Sequence, residues 1–173
     1  MSNPVSPLSG QEPLEIERKF LIEYPDPVWL ERQPGSRRVE IIQTYLLSDG
    51  SSTRRVRSWT EAGRTSYIRT YKRRLSDRTR VEVEDELSEA DYLALLKEAD
   101  PTRHPVEKTR WCIPCGSHVL EIDLYPFWSD QAVLEVELQN EEEEFLLPPE
   151  ICVIREVTGD PRYLNSSLAR ELP

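Results

Sequence analysis

Hydrophobic and polar residues alternate along most of this chain, and a period of two is the mark of strands with two unlike faces. Nine segments carry it: residues 14–22, 39–47, 53–59, 66–73, 80–87, 106–113, 118–125, 132–139 and 153–156. Turn formers separate them at Asp49-Gly50, Glu61-Ala62-Gly63, Ser76-Asp77 and Cys115-Gly116. Strands joined by short turns predict an antiparallel barrel or sandwich. Helices are few, so the class is α+β and mainly antiparallel β. Ser88 caps a helix running to about Ala99, with Tyr92, Leu95, Leu96 and Ala99 as its apolar stripe. Asp26-Pro27 and Asp160-Pro161 each place a cap before a helix-starting proline, opening helices over 28–32 and through about Arg170. Glu141 to Glu144 reads as a solvated helix start. Residues 1–12 read as a loose tail ahead of one domain over 13–173.

The polar faces are unusual, because side chains at i, i+2 and i+4 of a strand share one side. Glu15, Glu17 and Lys19 line up, as do Arg55 and Arg57, and Lys108 and Arg110. Arg80, Glu82, Glu84 and Glu86 share a face. Glu121 and Asp123 alternate with Leu120 and Ile122, and Glu135 and Glu137 with Leu134 and Val136. An ordinary sheet with one wet face explains any single strand. Six strands whose polar faces are almost wholly ionised suggest a barrel with apolar residues outside and charges in the lumen. Such a lumen repels itself unless it holds compensating ions.

Composition narrows the class. The 173 residues carry a net charge of −10, which argues against a general nucleic-acid binder. The charge is segregated: ten basic residues stand against two acids between Arg54 and Arg80, and nine acids with no base lie between Glu121 and Glu144. Carboxylates are hard donors for Mg²⁺ or Mn²⁺, and Arg and Lys suit phosphate oxygens. Both sets together fit a chain of phosphates with its divalent metal. With no long apolar run and no signal-like start, the cytoplasm is the expected compartment and no membrane contact is expected. Three cysteines suit reduced thiols. Trp111-Cys112-Ile113-Pro114-Cys115 resembles a redox motif, but its strand-turn-strand context lacks the helix that activates such a thiol. The four tryptophans, Trp29, Trp59, Trp111 and Trp128, are expected on the barrel exterior, and His104 and His118 receive no role. Tyr45 and Gln43 are weaker site candidates, since a strand tyrosine is usually packing.

In order along the chain, Glu15-Ile16-Glu17-Arg18-Lys19, Gln43-Thr44-Tyr45-Leu46, Arg55-Val56-Arg57 and Arg80-Val81-Glu82-Val83-Glu84 resemble motifs of the triphosphate tunnel metalloenzyme superfamily, the CYTH domain family. Tyr67 through Lys72, Glu107-Lys108-Thr109-Arg110-Trp111, the two acidic strands at 120–123 and 134–137, and Glu156-Val157-Thr158-Gly159-Asp160 with Tyr163 and Asn165 complete the pattern. Arg69, the basic run Lys72-Arg73-Arg74 and the Cys-Ile-Pro-Cys turn depart from it.

The resemblance implies an eight-stranded antiparallel tunnel that hydrolyses inorganic tripolyphosphate to pyrophosphate and phosphate with Mg²⁺ or Mn²⁺. It makes Glu15, Glu17, Glu135 and Glu137 the expected metal ligands. Lys19, Arg55, Arg57, Lys72, Arg80, Lys108 and Arg110 are expected on the phosphates, with Lys19, Lys108 and Glu84 in catalysis. Glu82, Glu84, Glu121 and Asp123 are expected to orient the bases or bind a second metal. The small-molecule triphosphate is the expected partner, for a monomer or homodimer. Alternatives within the superfamily are a class IV-type adenylyl cyclase or a nucleoside or thiamine triphosphatase. From another class, the Arg54–Arg80 stretch with Trp59, Tyr67 and Tyr71 allows a non-catalytic polyphosphate- or RNA-binding module.

Overall fold

A computed structural model of the chain describes residues 13–170. The expected tail over 1–12 lies outside the described residues. All nine expected strands form: β1 (Leu14–Glu23), β2 (Arg37–Leu46), β3 (Thr53–Glu61), β4 (Arg64–Arg74), β5 (Thr79–Leu87), β6 (Val106–Cys115), β7 (His118–Leu124), β8 (Gln131–Glu137) and β9 (Val153–Glu156). Neighbours run β5-β4-β3-β2-β6-β7-β8-β1, and β1 pairs back with β5, so eight antiparallel strands close into a barrel. Closure covers the strand edges except along part of the β1–β5 seam. The seam is short, only Leu14, Glu15 and Ile16 facing Val81, Arg80 and Thr79. Beyond it β1 parts from β5, and β9 takes over the same edge at Phe20 to Ile22.

The apolar core lies outside the barrel. Phe20, Ile22, Ile122, Leu134 and Val136 face away from the lumen and are sealed by Leu30 of α1 (Pro27–Arg32) and by Ile151, with Phe145 and Leu147 against them. Full burial of such side chains stabilises by about 1.5–3 kcal/mol each. A second outer cluster, Leu46, Val56 and Tyr92, lies under α2 (Glu89–Leu95), with Leu95 and Leu96 beside it. Asp26 and Ser88 cap these helices as expected, accepting from Val28 N at 2.9 Å and Asp91 N at 3.1 Å. At the β3–β4 hairpin Ala62 and Gly63 both take positive φ, the mirror-image turn that matches strand twist.

One end of the lumen is closed. Tyr45, Val106, Tyr125 and Val133 have the inward parity of the charged rows, and they pack on Leu168 and Ala169. Leu168 ends α3 (Asn165–Leu168), which therefore lies across this end. The helix expected from Pro161 to about Arg170 is broken: a 3₁₀ turn over Pro161–Tyr163 stops at Leu164, which has extended backbone, before α3 begins. The break lets Tyr163 bury with Leu21 and Val157 while Leu168 fills the barrel end. Glu141 to Glu144 starts no helix. Glu141 accepts from Ser76 and Thr79 side chains, and Glu143 accepts from Gln139 N and contacts His118 at 2.9 Å. Trp59 is not exterior but lies on the inward row with Arg57, whose guanidinium sits 5.8 Å from its ring. Cys112 and Cys115 fall on opposite faces of β6, Cys112 buried and Cys115 beside the outer cluster, so they form no redox pair. Among the described residues no helix is long and apolar enough to cross a membrane.

Candidate functional site: the charged lumen

The inward rows enclose a cavity of about 300 Å³. Antiparallel register sets which charges meet. Glu15 stands opposite Arg80, Lys72 opposite Glu82, Glu17 opposite Glu137, Lys19 opposite Glu135, and Arg110 opposite Asp123. Lys19 Nζ lies 3.0 Å from Glu135 and 4.0 Å from Glu17. Arg80 Nη2 lies 3.0 Å from Glu17, and Lys72 Nζ donates to Glu15 at 3.0 Å and lies 2.5 Å from Glu82. Arg57 donates to Glu84, which also accepts from the buried Thr70 hydroxyl at 3.0 Å. Arg110 spans three acids: its Nε and Nη2 donate to Asp123 at 2.6 and 2.8 Å, Nη1 to Glu121 at 2.5 Å and Nη2 to Glu135 at 3.1 Å.

Two expected site residues sit behind the cavity wall instead of on it. Lys108 and Asp123 are 1% and 0% exposed, pair at 2.6 Å, and do not line the cavity. Lys108 is thus placed to hold Asp123, and Asp123 to hold Arg110. Sequence parity puts both on the lumen side of their strands, which is correct, but says nothing of depth.

Among the described residues four buried guanidinium nitrogens have no hydrogen-bond partner, and three of them, Nε of Arg55, Arg57 and Arg80, belong to residues that line the cavity, the fourth being Nε of Arg103 outside it. A buried unpaired donor costs about 1–3 kcal/mol and more when charged, so these positions call for an acceptor from outside the chain. The titration of the wall shows the same imbalance. Burial and the neighbouring Arg55 pull Arg57 down to about 10, and burial with Arg110 beside it pulls Lys108 down to about 8. Burial also works against Lys19, but Glu135 and Glu17 outweigh it and raise its pKa. Glu135, though buried, is held well below its ordinary value by Lys19 and Arg110.

The mouth-side acids behave oppositely. Burial raises Glu15, helped by a hydrogen bond with Glu82, and raises Glu17, helped by the charge of Glu135. Burial and then Glu15 raise Glu137, and burial raises Glu121. Among the described residues no three acids, histidines or cysteines converge at metal-binding distance, because Glu15 and Glu17 are turned to Lys72 and Arg80. Glu137 makes no such pair among the described residues. In donor type and in mutual repulsion these acids nonetheless fit a hard divalent cation, which would offset the burial and, after it, the repulsion that raise their pKa.

The backbone of β1 is held where its strand partners run out. Between Ile16 and Phe20 one edge of β1 faces neither β5 nor β9. There Glu17 N donates to Arg78 C=O at 3.0 Å, Lys19 N donates to Thr158 Oγ1 at 2.9 Å, and Val157 N donates to Lys19 C=O at 2.8 Å. Thr158 in turn donates to Glu156, which is paired with Arg18. Residue-by-residue reading missed the site roles of Trp59, Thr70 and Thr158. Parity with Arg57 and Lys72 would have found the first two, since each lies two positions from a lumen cation. Thr158 has no such signal, because its hydroxyl acts on a distant backbone.

This architecture has known counterparts. The CYTH domain family matches residues 13–158. An inorganic triphosphatase of Acetivibrio thermocellus is 31% identical over 157 residues, covering 90% of this chain and 93% of that protein. The crystal structure of the inorganic triphosphatase NE1496 matches with a TM-score of 0.57 at 30% identity, covering 92% of this chain and 96% of that one. The PH1819 protein from Pyrococcus horikoshii OT3 shares the fold, with a TM-score of 0.58 at 19% identity over 74% of this chain and 80% of that one. With its ring of eight strands, inward ionised rows and matching span, the chain belongs to the CYTH domain family.

Proposed function

We propose that this chain hydrolyses inorganic tripolyphosphate to pyrophosphate and phosphate in the lumen, with Mg²⁺ or Mn²⁺ as the bound metal. The observation that carries this reading is the set of Nε donors on Arg55, Arg57 and Arg80 that find no hydrogen-bond partner among the described residues, buried in the same wall as acids that repel one another. Donors in want of anionic oxygens beside carboxylates in want of a cation describe the two halves of a metal–phosphate complex. The inorganic triphosphatase relative, 31% identical along most of the chain, supports the choice of an inorganic substrate.

In this reading Lys19, Arg55, Arg57, Lys72, Arg80 and Arg110 hold the phosphate oxygens. Glu15, Glu17 and Glu137 hold the metal after Glu15 and Glu17 turn from their cations, which the phosphates then occupy. Glu135, taken by Lys19 and Arg110, joins them less readily. The metal supplies charge neutralisation along the phosphate chain. Glu84, whose pKa Arg57 helps to lower, serves as an anchor for that arginine, since a strongly ionised acid is a weak base. Water attacks a terminal phosphorus, the new P–O bond forms as the anhydride P–O bond breaks, and pyrophosphate leaves. Positioning and charge stabilisation carry such transfers. A nucleic-acid partner is not part of the proposal, because Arg55, Arg57, Lys72 and Arg80 of the basic stretch point inward, while Arg54 and Arg69 are paired outside with Glu98 and Asp85.

Phosphate release from tripolyphosphate, ATP and thiamine triphosphate, each with Mg²⁺, Mn²⁺ or EDTA, tests this. Metal-dependent release greatest from tripolyphosphate supports it. Silence on tripolyphosphate, or undiminished release in EDTA, rejects it.

A further inference from the structure

The closed end of the lumen carries a polarity that can be read from its hydrogen bonds. Arg55 Nη1 donates to Gln43 Oε1 at 3.2 Å, and since arginine only donates, the orientation of the Gln43 amide is fixed. Gln43 Nε2 then donates to the Tyr45 hydroxyl at 2.7 Å. Tyr45 is thereby the acceptor in that bond, and its own O–H remains to be given. Gln43 is wholly buried and Tyr45 is 3% exposed, yet Tyr45 lines the cavity. Across from it, Asn165 Oδ1 accepts from the Tyr125 hydroxyl at 2.5 Å, which leaves its NH₂ group. Asn165 is 9% exposed and also lines the cavity. With the unpaired Nε of Arg55 these groups present hydrogens, in a pocket that α3 seals behind.

Resting on the reading of the lumen as a triphosphate site, we infer that Tyr45 and Asn165 form an end-cap subsite for a free terminal phosphoryl group. A terminal group offers three peripheral oxygens, all acceptors, to a set of donors. An internal phosphoryl group offers two, and its chain would have to continue through Leu168 and Ala169. The substrate therefore enters end first, and a triphosphate with at least one unsubstituted end is the class admitted. An organic group is tolerated only on the end left at the mouth, where Trp59 lines the cavity.

The test measures binding of diimidotriphosphate, a triphosphate analogue whose bridges are not hydrolysed, by calorimetric titration with Mg²⁺ for the wild type, Tyr45→Phe and Asn165→Asp, with competition by a dinucleoside triphosphate, which is substituted at both ends. Tyr45→Phe keeps the ring that packs on Val106 and Leu168, and a matching circular dichroism melt controls for folding. Loss of one hydrogen bond to a charged group predicts affinity lower by roughly 10- to 100-fold in Tyr45→Phe. Asn165→Asp is expected to lose more, and the dinucleoside triphosphate not to compete. Tight wild-type binding that Tyr45→Phe leaves unchanged, or effective displacement of the analogue by the doubly substituted compound, overturns the end cap alone. Absence of wild-type binding overturns the triphosphate reading and the end cap with it.

Discussion

Lys108 Nζ donates to Asp123 Oδ2 at 2.6 Å inside the barrel wall, and neither side chain reaches solvent or the cavity. The same carboxylate takes two hydrogen bonds from Arg110, which does reach the cavity. Asp123 thus carries two cations, and its pKa is lowered despite complete burial, by Arg110 and then Lys108. Removing one member of a buried charge cluster leaves the others uncompensated, at about 3–5 kcal/mol. Asp123→Ala is expected to lose that much stability in a urea melt. Lys108→Met, which removes the surplus cation, is expected to lose much less, because Arg110 still satisfies Asp123. Equal losses in the two variants would refute this division.

Thr158 replaces a strand. Its hydroxyl stands where a partner carbonyl would accept from Lys19 N, at the gap between the β5 and β9 pairings. Thr158→Val keeps the shape and removes the acceptor, so a loss of about 0.5–1.5 kcal/mol is expected. Since the amide at stake is that of Lys19 itself, kcat on tripolyphosphate should fall more than KM rises. Thr158→Ser should restore both. A purely structural role would lower stability in Thr158→Val with the kinetic constants of the folded fraction unchanged.

Much of this was legible from alternation alone. The nine strands appear within about two residues of their expected ends at most places, because a barrel wall with one ionised and one apolar face imposes period two on every strand. The inward rows follow from the same fact. What alternation cannot give is depth along the lumen, so Lys108 and Asp123 read like Arg110 although they lie behind the cavity wall. Nor does it give contacts made at long range: Thr158 meets Lys19 across 139 positions, and Glu141 meets Thr79 across 62. The helix expected after Asp160 had a sound cap, since Asp160 does accept from Arg162 N at 3.1 Å. Burial of Tyr163 and Leu168 in two different clusters then broke it at Leu164, tertiary packing overriding local propensity.

The lumen acids make stability depend on pH in two directions. Glu15, Glu17, Glu121 and Glu137 have raised pKa values, so the folded chain binds their protons before the unfolded chain does. As pH falls through those raised values, stability contributed by these groups rises, and it levels off below the ordinary carboxylate range. Asp123 and Glu135 have lowered values, and the stability they supply is present above the unfolded value and lost as pH falls through the folded one. In EDTA the melting temperature is therefore expected to be higher near roughly pH 5 than near pH 7.5, and to drop below about pH 4. Mg²⁺ should raise it more at pH 7.5 than at pH 5, since protons and metal compete for the same oxygens. A metal-free melting temperature that climbs steadily from pH 5 to 7.5 would contradict the burial and mutual repulsion that raise these acids.

Gly159 sits at φ +74°, and a Cβ built there would lie 2.7 Å from Asp77 Cγ and 2.8 Å from Asp77 Cβ. Two separate costs follow for Gly159→Ala. Left-handed backbone costs a non-glycine residue about 1 kcal/mol or more, and the contact forces either the Val157–Asp160 turn or the β4–β5 hairpin to move. Both lie at the seam, and Asp77 and Gly159 both line the cavity. Asp77→Gly alone removes the Arg74 partner at the surface, which is worth little. In the double variant the collision is gone and the backbone cost remains. Gly159→Ala is thus expected to lose about 2–4 kcal/mol, and adding Asp77→Gly to recover about half of it, a coupling that a double-mutant cycle of urea melts reads directly. Phosphate release from tripolyphosphate should follow the same order, because displacement of the turn carries Thr158, and with it the backbone of Lys19, away from the lumen. Additive losses in the cycle would mean that the turn and the hairpin adjust independently, and that the seam is not held at this contact.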